Sequence, residues 1–145
     1  MSKEDGARVR VNELKAFVRS PLFKEIKEAK ALHRELRFNV FLKASDFTEE
    51  AYKKTLLEDE KILVQGVIDC LIENEKGELH LIDYKTDRLT REELSDISLA
   101  EERLRAAHTL QLSYYKKAVE IMFEKAPSKV GIYSLHLGKE VELTV

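Results

Sequence analysis

The chain has no tryptophan, one cysteine and two prolines in 145 residues. A single cysteine, Cys70, excludes an internal disulfide framework and any four-cysteine zinc or iron–sulfur site. It favours a reducing, cytoplasmic setting. No window approaches the ~18 consecutive apolar residues of a membrane span, so no membrane partner is expected. The opening Met1-Ser2-Lys3-Glu4-Asp5-Gly6 is polar and unlike a secretory leader. Charge of one sign is also scarce: 25 Lys and Arg stand against 27 Asp and Glu, a net charge of −2. A global basic footprint is therefore absent. Any contact with a polyanion needs a local basic patch, a metal or neighbouring domains. There is no repeat, no low-complexity tract and no Gly-x-x-x-x-Gly-Lys-Ser/Thr nucleotide loop.

What is present is enough apolar sequence for one domain with a real core. Residues 1–10 read as a frayed or trimmed edge and 11–145 as the domain. Asn12 is a candidate N-cap for a helix from Glu13, with Leu14, Phe17 and Val18 as its stripe. Ser20-Pro21 breaks that stripe and starts a second helix reaching about Leu32. Residues 34–42 alternate as a strand, with Leu36, Phe38, Val40 and Leu42 on one face. Residues 44–59 read as a loop with a short helix near 49–56. Strands at 61–73 and 78–86 flank Asn74-Glu75-Lys76-Gly77, a hairpin turn. Both strands are apolar on the two faces, which predicts central strands covered on both sides. A charged connection over 87–98 leads to a helix over 99–125 and strands at 129–135 and 140–145. The order predicts an α/β domain: a central mixed β-sheet flanked by helices.

The chemistry concentrates where apolar strands carry ionisable residues, because burying an unpaired charge is costly. In Leu81-Ile82-Asp83-Tyr84-Lys85-Thr86, Asp83 and Lys85 point to one face, and Ile82 and Tyr84 to the other. Asp69, in Gly66-Val67-Ile68-Asp69, can approach Asp83 across the hairpin. Two facing carboxylates repel unless a cation or proton lies between them. Mg²⁺ suits such oxygen ligands, with the Tyr84 carbonyl as a further donor. Lys85 next to two carboxylates suits positioning and electrostatic work better than general-base work. Asp-x-Lys alone is common, and an ordinary surface ion pair explains it equally well. Gln111 and Tyr115 share a helix face, with Leu104, His108, Ala118 and Met122 on or near it; a half-solvated helix edge is the plainer reading. Glu35 is a candidate ligand or supporting acceptor, or a surface partner of Arg34 or Arg37. His33, His80, His108 and His136 lack metal-ligand spacing, and Cys70 reads as core. Lys53, Lys54, Arg88, Arg91, Arg103 and Arg105 flank the site in sequence; of these Arg88 is the best placed to meet a phosphate.

In order, Glu35, Gly66-x-x-Asp69, Asp83-Tyr84-Lys85-Thr86 and Gln111-x-x-x-Tyr115 resemble the PD-(D/E)XK nuclease superfamily. The resemblance is to its RecB-like branch, and within that to the nuclease domains of AddA-type helicase–nuclease subunits, over nearly the whole chain from about Val11. It implies a restriction-endonuclease-like core and Mg²⁺-dependent hydrolysis of DNA, with Mn²⁺ as a substitute. Asp69 and Asp83 would hold the metal, Lys85 would be catalytic, and Gln111 with Tyr115 would line the site. The implied partners are DNA, helicase domains of the same full-length chain and an AddB-like subunit, in the bacterial cytoplasm, for double-strand-break repair. RecB-like nucleases usually also carry a metal-binding histidine in a Gly-x-x-x-His-like setting upstream of the position of Glu35, and this sequence has none. The expectation is a fragment of a larger protein with weak metal binding and weak or no cleavage by itself. A stand-alone RecB-like or CRISPR-associated exonuclease, or a silent fold kept for DNA binding or assembly, are the alternatives.

Overall fold

The computed structural model describes residues 10–43 and 61–145. Residues 1–9 of the expected 1–10 edge and the short helix near 49–56 lie outside the described residues, as do Lys53 and Lys54.

Two short helices come first, α1 (Val11–Val18) and α2 (Pro21–Lys27). Pro21 opens α2, where its missing N–H costs nothing, and Ser20 Oγ accepts from the Phe23 amide at 3.2 Å. Asn12 does not cap α1. It lies inside the helix, and Arg10 holds the cap position without a side-chain bond. Nor does α2 reach Leu32. From Ala31 the chain enters a ladder, with Ala31 opposite Glu73 and Leu32 opposite Ile72, and cross-strand pairing overrides local helix propensity.

That ladder joins β1 (Ala31–Lys43) to β2 (Lys61–Glu73), antiparallel. The turn 74–77 returns the chain as β3 (Leu79–Lys85). Asn74 Oδ1 accepts from the amides of Lys76 and Glu78, and Gly77 takes a φ of +80°. The 87–98 connection contains a helix the periodicity does not reveal, α3 (Arg91–Ser95), closed by a Thr90–Glu93 capping box. The long helix α4 (Ile97–Phe123) follows, then β4 (Lys129–Ser134), parallel to β3, and β5 (Lys139–Glu142), antiparallel to β4. The result is a mixed five-stranded sheet in the order β1-β2-β3-β4-β5 with helices on both faces. No helix among the described residues is long and apolar enough to cross a membrane.

Leu104, Leu112, Ala118 and Val119 of α4 pack on one face, against Phe38, Ile68, Leu81 and Ile132. Phe17, Leu22 and Ile26 of α1 and α2 cover part of the other, over Cys70, Ile72, Ile82 and Tyr133. The expectation that β2 is covered on both sides holds only for its second half. Ile68, Cys70, Leu71 and Ile72 are buried, whereas Leu63 and Val67 are 46% and 41% exposed. The helices α1 and α2 do not extend over the first half of the strand.

One irregularity decides where the site forms. Ile68 and Leu71 belong to the same core cluster although they are three residues apart, and Leu36 faces that cluster while Leu32 faces the other. Both strands therefore switch faces between these positions. Glu35 marks the switch with a left-handed φ of 48°, a conformation uncommon without glycine. Its register partner is Asp69, and the ladder skips this pair.

Candidate active site

The switch in β2 puts Asp69 on the α4 side of the sheet, where the alternation of β3 also puts Asp83 and Lys85. The β2–β3 ladder stops at Cys70 and Ile82, one residue short of the point where Asp69 and Asp83 stand opposite. There the Asp69 carboxylate takes over the acceptor role of the backbone: its Oδ2 accepts from the Tyr84 amide at 2.9 Å. β3 continues beside β4 while the first half of β2 continues beside β1, so the sheet forks at the two aspartates.

Asp83 is 4% exposed. Lys85 Nζ lies 2.7 Å from Asp83 Oδ2 and donates to Gln111 Oε1 at 2.9 Å. Gln111 Nε2 donates in turn to the Tyr115 hydroxyl at 3.2 Å. The Tyr115 ring stands edge-on to Phe38, with centroids 5.3 Å apart. Gly66 makes room for this contact: a Cβ there would meet Phe38 Cζ at 2.8 Å and Tyr115 Cε1 at 3.1 Å. The helix α4 thus presents Gln111 and Tyr115, one turn apart, to a strand carrying Asp83 and Lys85. The structure brings together five of the six candidate side chains.

Asp69 is pushed up to about 6 from the ordinary 3.8. Burial is the largest cause, and the negative charge of Asp83, within hydrogen-bonding reach, adds to it. The Tyr84 amide and Lys85 pull the other way and do not cancel these. Burial thus raises Asp69 most, and the sharing of one ammonium by two carboxylates adds to the rise.

This geometry accompanies a sequence match. Residues 2–143 match the family model for the PD-(D/E)XK nuclease superfamily. The chain belongs to the PD-(D/E)XK nuclease superfamily. Among curated proteins it is similar to the A subunit of the ATP-dependent helicase/nuclease of Bacillus licheniformis, 34% identical over 89% of this chain and 10% of that protein. It is 40% identical to the corresponding protein of Bacillus thuringiensis over 81% of this chain and 9% of that protein. For Clostridium novyi the identity is 30% over 99% of this chain and 11% of that protein. The chain thus spans about a tenth of the length of the curated relatives it matches.

PD-(D/E)XK nucleases generally use divalent metal ions. The donor set fits one: two oxygen ligands with surplus negative charge, open to solvent on the Asp69 side. Among the described residues no group of three His, Cys, Asp or Glu side chains forms a ready cage.

Glu35 lies opposite Asp69 in register, is exposed and has no hydrogen bond or ion pair among the described residues. Tyr84 turns its ring to the other face, against Phe17, which leaves its backbone at the site. Arg88 is bound through one guanidinium nitrogen to the Glu13 carboxylate. Arg103 is held by Glu93 and the Arg88 carbonyl, and Arg105 by Glu101 and the Glu142 carbonyl. In each case a carboxylate or carbonyl from a distant element takes the arginine, which sequence neighbourhood does not reveal.

Two polar clusters escape the sequence reading. His80 is 5% exposed on the far face of β3, with Nδ1 2.7 Å from Glu25 and Nε2 2.7 Å from Glu140. Gly131 permits this, since a Cβ there would fall 2.3 Å from Glu140 Oε2. Burial opposes the charged ring, the two carboxylates outweigh it, and the pKa of His80 is raised. A histidine inside the apolar run of β3 is the one signal that could have revealed it. His108 Nε2 pairs with Asp87 Oδ2 at 3.0 Å, beside the Lys85–Gln111 contact in sequence.

Proposed function

We propose that this chain is the nuclease domain of a helicase–nuclease and that it hydrolyses DNA phosphodiester bonds with Mg²⁺, or with Mn²⁺ in its place. The observation that carries this reading is the continuous line Asp83–Lys85–Gln111–Tyr115 beside a carboxyl at Asp69 that burial and a facing acid have raised. Superfamily membership supports it. Asp69 and Asp83, with the Tyr84 carbonyl, would hold the ion. When bound, the ion offsets negative charge at the scissile phosphate and raises the acidity of water there.

The protein's own groups do the rest. An ammonium has three donors, and Lys85 uses two, on Asp83 and Gln111, which leaves the third for a substrate oxygen. A fixed donor at a phosphoryl oxygen would favour the transition state over the ground state. Gln111 accepts from Lys85 and donates to Tyr115, which fixes its amide orientation. Tyr115 accepts from Gln111 and keeps its own O–H for a substrate oxygen. Glu35, across from Asp69, would steady water or the ion.

Helicase domains of the same full-length chain and an AddB-like subunit complete the proposed setting, in the bacterial cytoplasm, for double-strand-break repair. Manganese titration followed by electron paramagnetic resonance, with cleavage of labelled single-stranded DNA in parallel, tests the reading. Saturable Mn²⁺ binding that Asp83→Ala removes is the expected result, with weak cleavage by this piece alone. Equal indifference of both proteins to Mn²⁺, with unchanged circular dichroism, would sink it and favour a silent fold.

A further inference from the structure

A chain with net charge −2 needs a local basic surface to hold a polyanion, and of the arginines near the site in sequence Arg88, Arg103 and Arg105 each hold a carboxylate. Unpaired cations collect elsewhere. The even-numbered side chains of β1 from 36 onward face the α4 side, so the odd-numbered ones face away. Every odd-numbered side chain from 37 to 43 and from 61 to 67 is exposed. Arg37, Lys43 and Lys61 are among them, and none has a carboxylate partner among the described residues. The face switch at Glu35 brings Arg34 onto the same side. It lies near enough to Cys70 and Tyr84, which face that way, for its charge to act on both.

Across residues 34–43 and 61–68 Glu35 is the only acid. Phe41 is 63% exposed and stands opposite Leu63, itself 46% exposed, in the cross-strand register. Such a face combines a row of cations with an exposed aromatic ring, the two features that hold single strands without reading their sequence. The row also ends at the fork: Arg34 pairs in register with Cys70, the residue after Asp69. Beyond Cys70 the β2 edge away from β1 has no ladder partner among the described residues, so a strand lying on this face has a passage round that edge to the aspartates.

We propose that the outward face of the β1–β2 ribbon is a track for single-stranded DNA, with phosphates held at three levels by the Lys43–Lys61 pair, Arg37 and Arg34 and a base on Phe41 between the first two, leading to the fork at Asp69. The proposal rests on the nuclease reading and adds the route of the substrate to it.

The test is fluorescence anisotropy of a labelled oligothymidylate with this chain in chelator, so that no metal contributes. Wild type should bind, with affinity falling as salt rises. In Arg34→Gln/Arg37→Gln/Lys61→Gln the slope of log affinity against log salt should fall by about 2, roughly 0.7 for each phosphate of a single strand that is no longer neutralised. Phe41→Ala should weaken binding by about 10-fold, the scale of one lost base stack. The triple variant should keep its Mn²⁺ titration and circular dichroism, because none of its residues touches the aspartates. Wild-type affinity and slope in the triple variant would overturn the track while leaving the nuclease reading standing. So would concentration-dependent self-association of wild type that Phe41→Ala abolishes while DNA binding stays unchanged, since the face would then be a contact between protein copies.

Discussion

β3 carries two ionic clusters, one on each face, assembled from similar parts. On the α4 side Asp69 and Asp83 share Lys85. On the other side Glu25 and Glu140 share His80. Each has two carboxylates and one cation, yet they differ in what they leave unfinished. Both ring nitrogens of His80 are satisfied at 2.7 Å, and the cluster ties α2, β3 and β5 together. Nothing remains for a ligand, so this cluster is a staple. In the other, Lys85 turns part of its bonding capacity to Gln111, and Asp69 is left raised to about 6 by burial and by its neighbour. Unrelieved charge next to an opening in the sheet marks a site, whereas the same residue types closed on one another mark architecture.

Breaking each cluster should show this difference, most strongly at the aspartate pair. On the proposed nuclease reading, Asp83→Ala should reduce DNA cleavage by more than about 100-fold, above the 10–100-fold typical of groups that only orient a ligand. Single-turnover kinetics would measure this, and urea unfolding of the metal-free chain should change less than for the histidine below, since the repulsion on Asp69 that is removed offsets the Lys85 pair that is lost. His80→Leu should do the reverse. It takes the buried partner from Glu140, which among the described residues keeps only Lys129 at 3.7 Å, and releases Glu25 to solvent; it should cost about 3 kcal/mol in urea unfolding, while the Mn²⁺ titration stays as in wild type.

Acidity sharpens the comparison. Asp69 holds its proton up to about pH 6 in the folded chain and to about 3.8 unfolded, so metal-free stability should fall as pH rises across that window and then level. His80 has a raised value in the fold, so its contribution is fully present below the ordinary 6.5 and is lost as pH rises through the folded value. Thermal unfolding at several pH values should show both declines. Added Mg²⁺ should flatten the acidic one alone, because a cation displaces the Asp69 proton and does not reach His80. The smallest expected effect is Gln111→Ala. It removes one hydrogen bond to a charged group, worth about 1.5 kcal/mol, or roughly a tenfold loss in cleavage rate with little change in substrate affinity.

The sequence made much of this legible. Alternation at Leu36, Phe38, Val40 and Leu42 placed β1 and its inner face correctly, and Asn74 to Gly77 marked the hairpin that aligns Asp69 with Asp83. Asp83, Lys85, Gln111 and Tyr115 were each visible as misfits in apolar or helical patterns. Other features were illegible for a common reason: they depend on partners far along the chain. The short α2 loses residues 31 and 32 to pairing with Glu73 and Ile72. Arg88 looked available until Glu13, 75 residues away, took it. His80 reads as structural or exposed, and the partners that make it structural, Glu25 and Glu140, lie 55 and 60 residues off. The Thr90–Glu93 capping box is the exception, a local signal in plain view within a segment read only as charged.

Strand identity, the turn and the candidate chemical groups were determined by the sequence itself, since period, turn residues and side-chain type act over a few positions. Only the tertiary structure decided which charges stay unpaired. The face switch at Glu35 and Asp69 breaks strict alternation, and it takes a ladder between distant strands to hold a non-glycine residue at positive φ. Pairing of charges is a matter of distance in space, and a folded chain sets those distances by its long-range contacts.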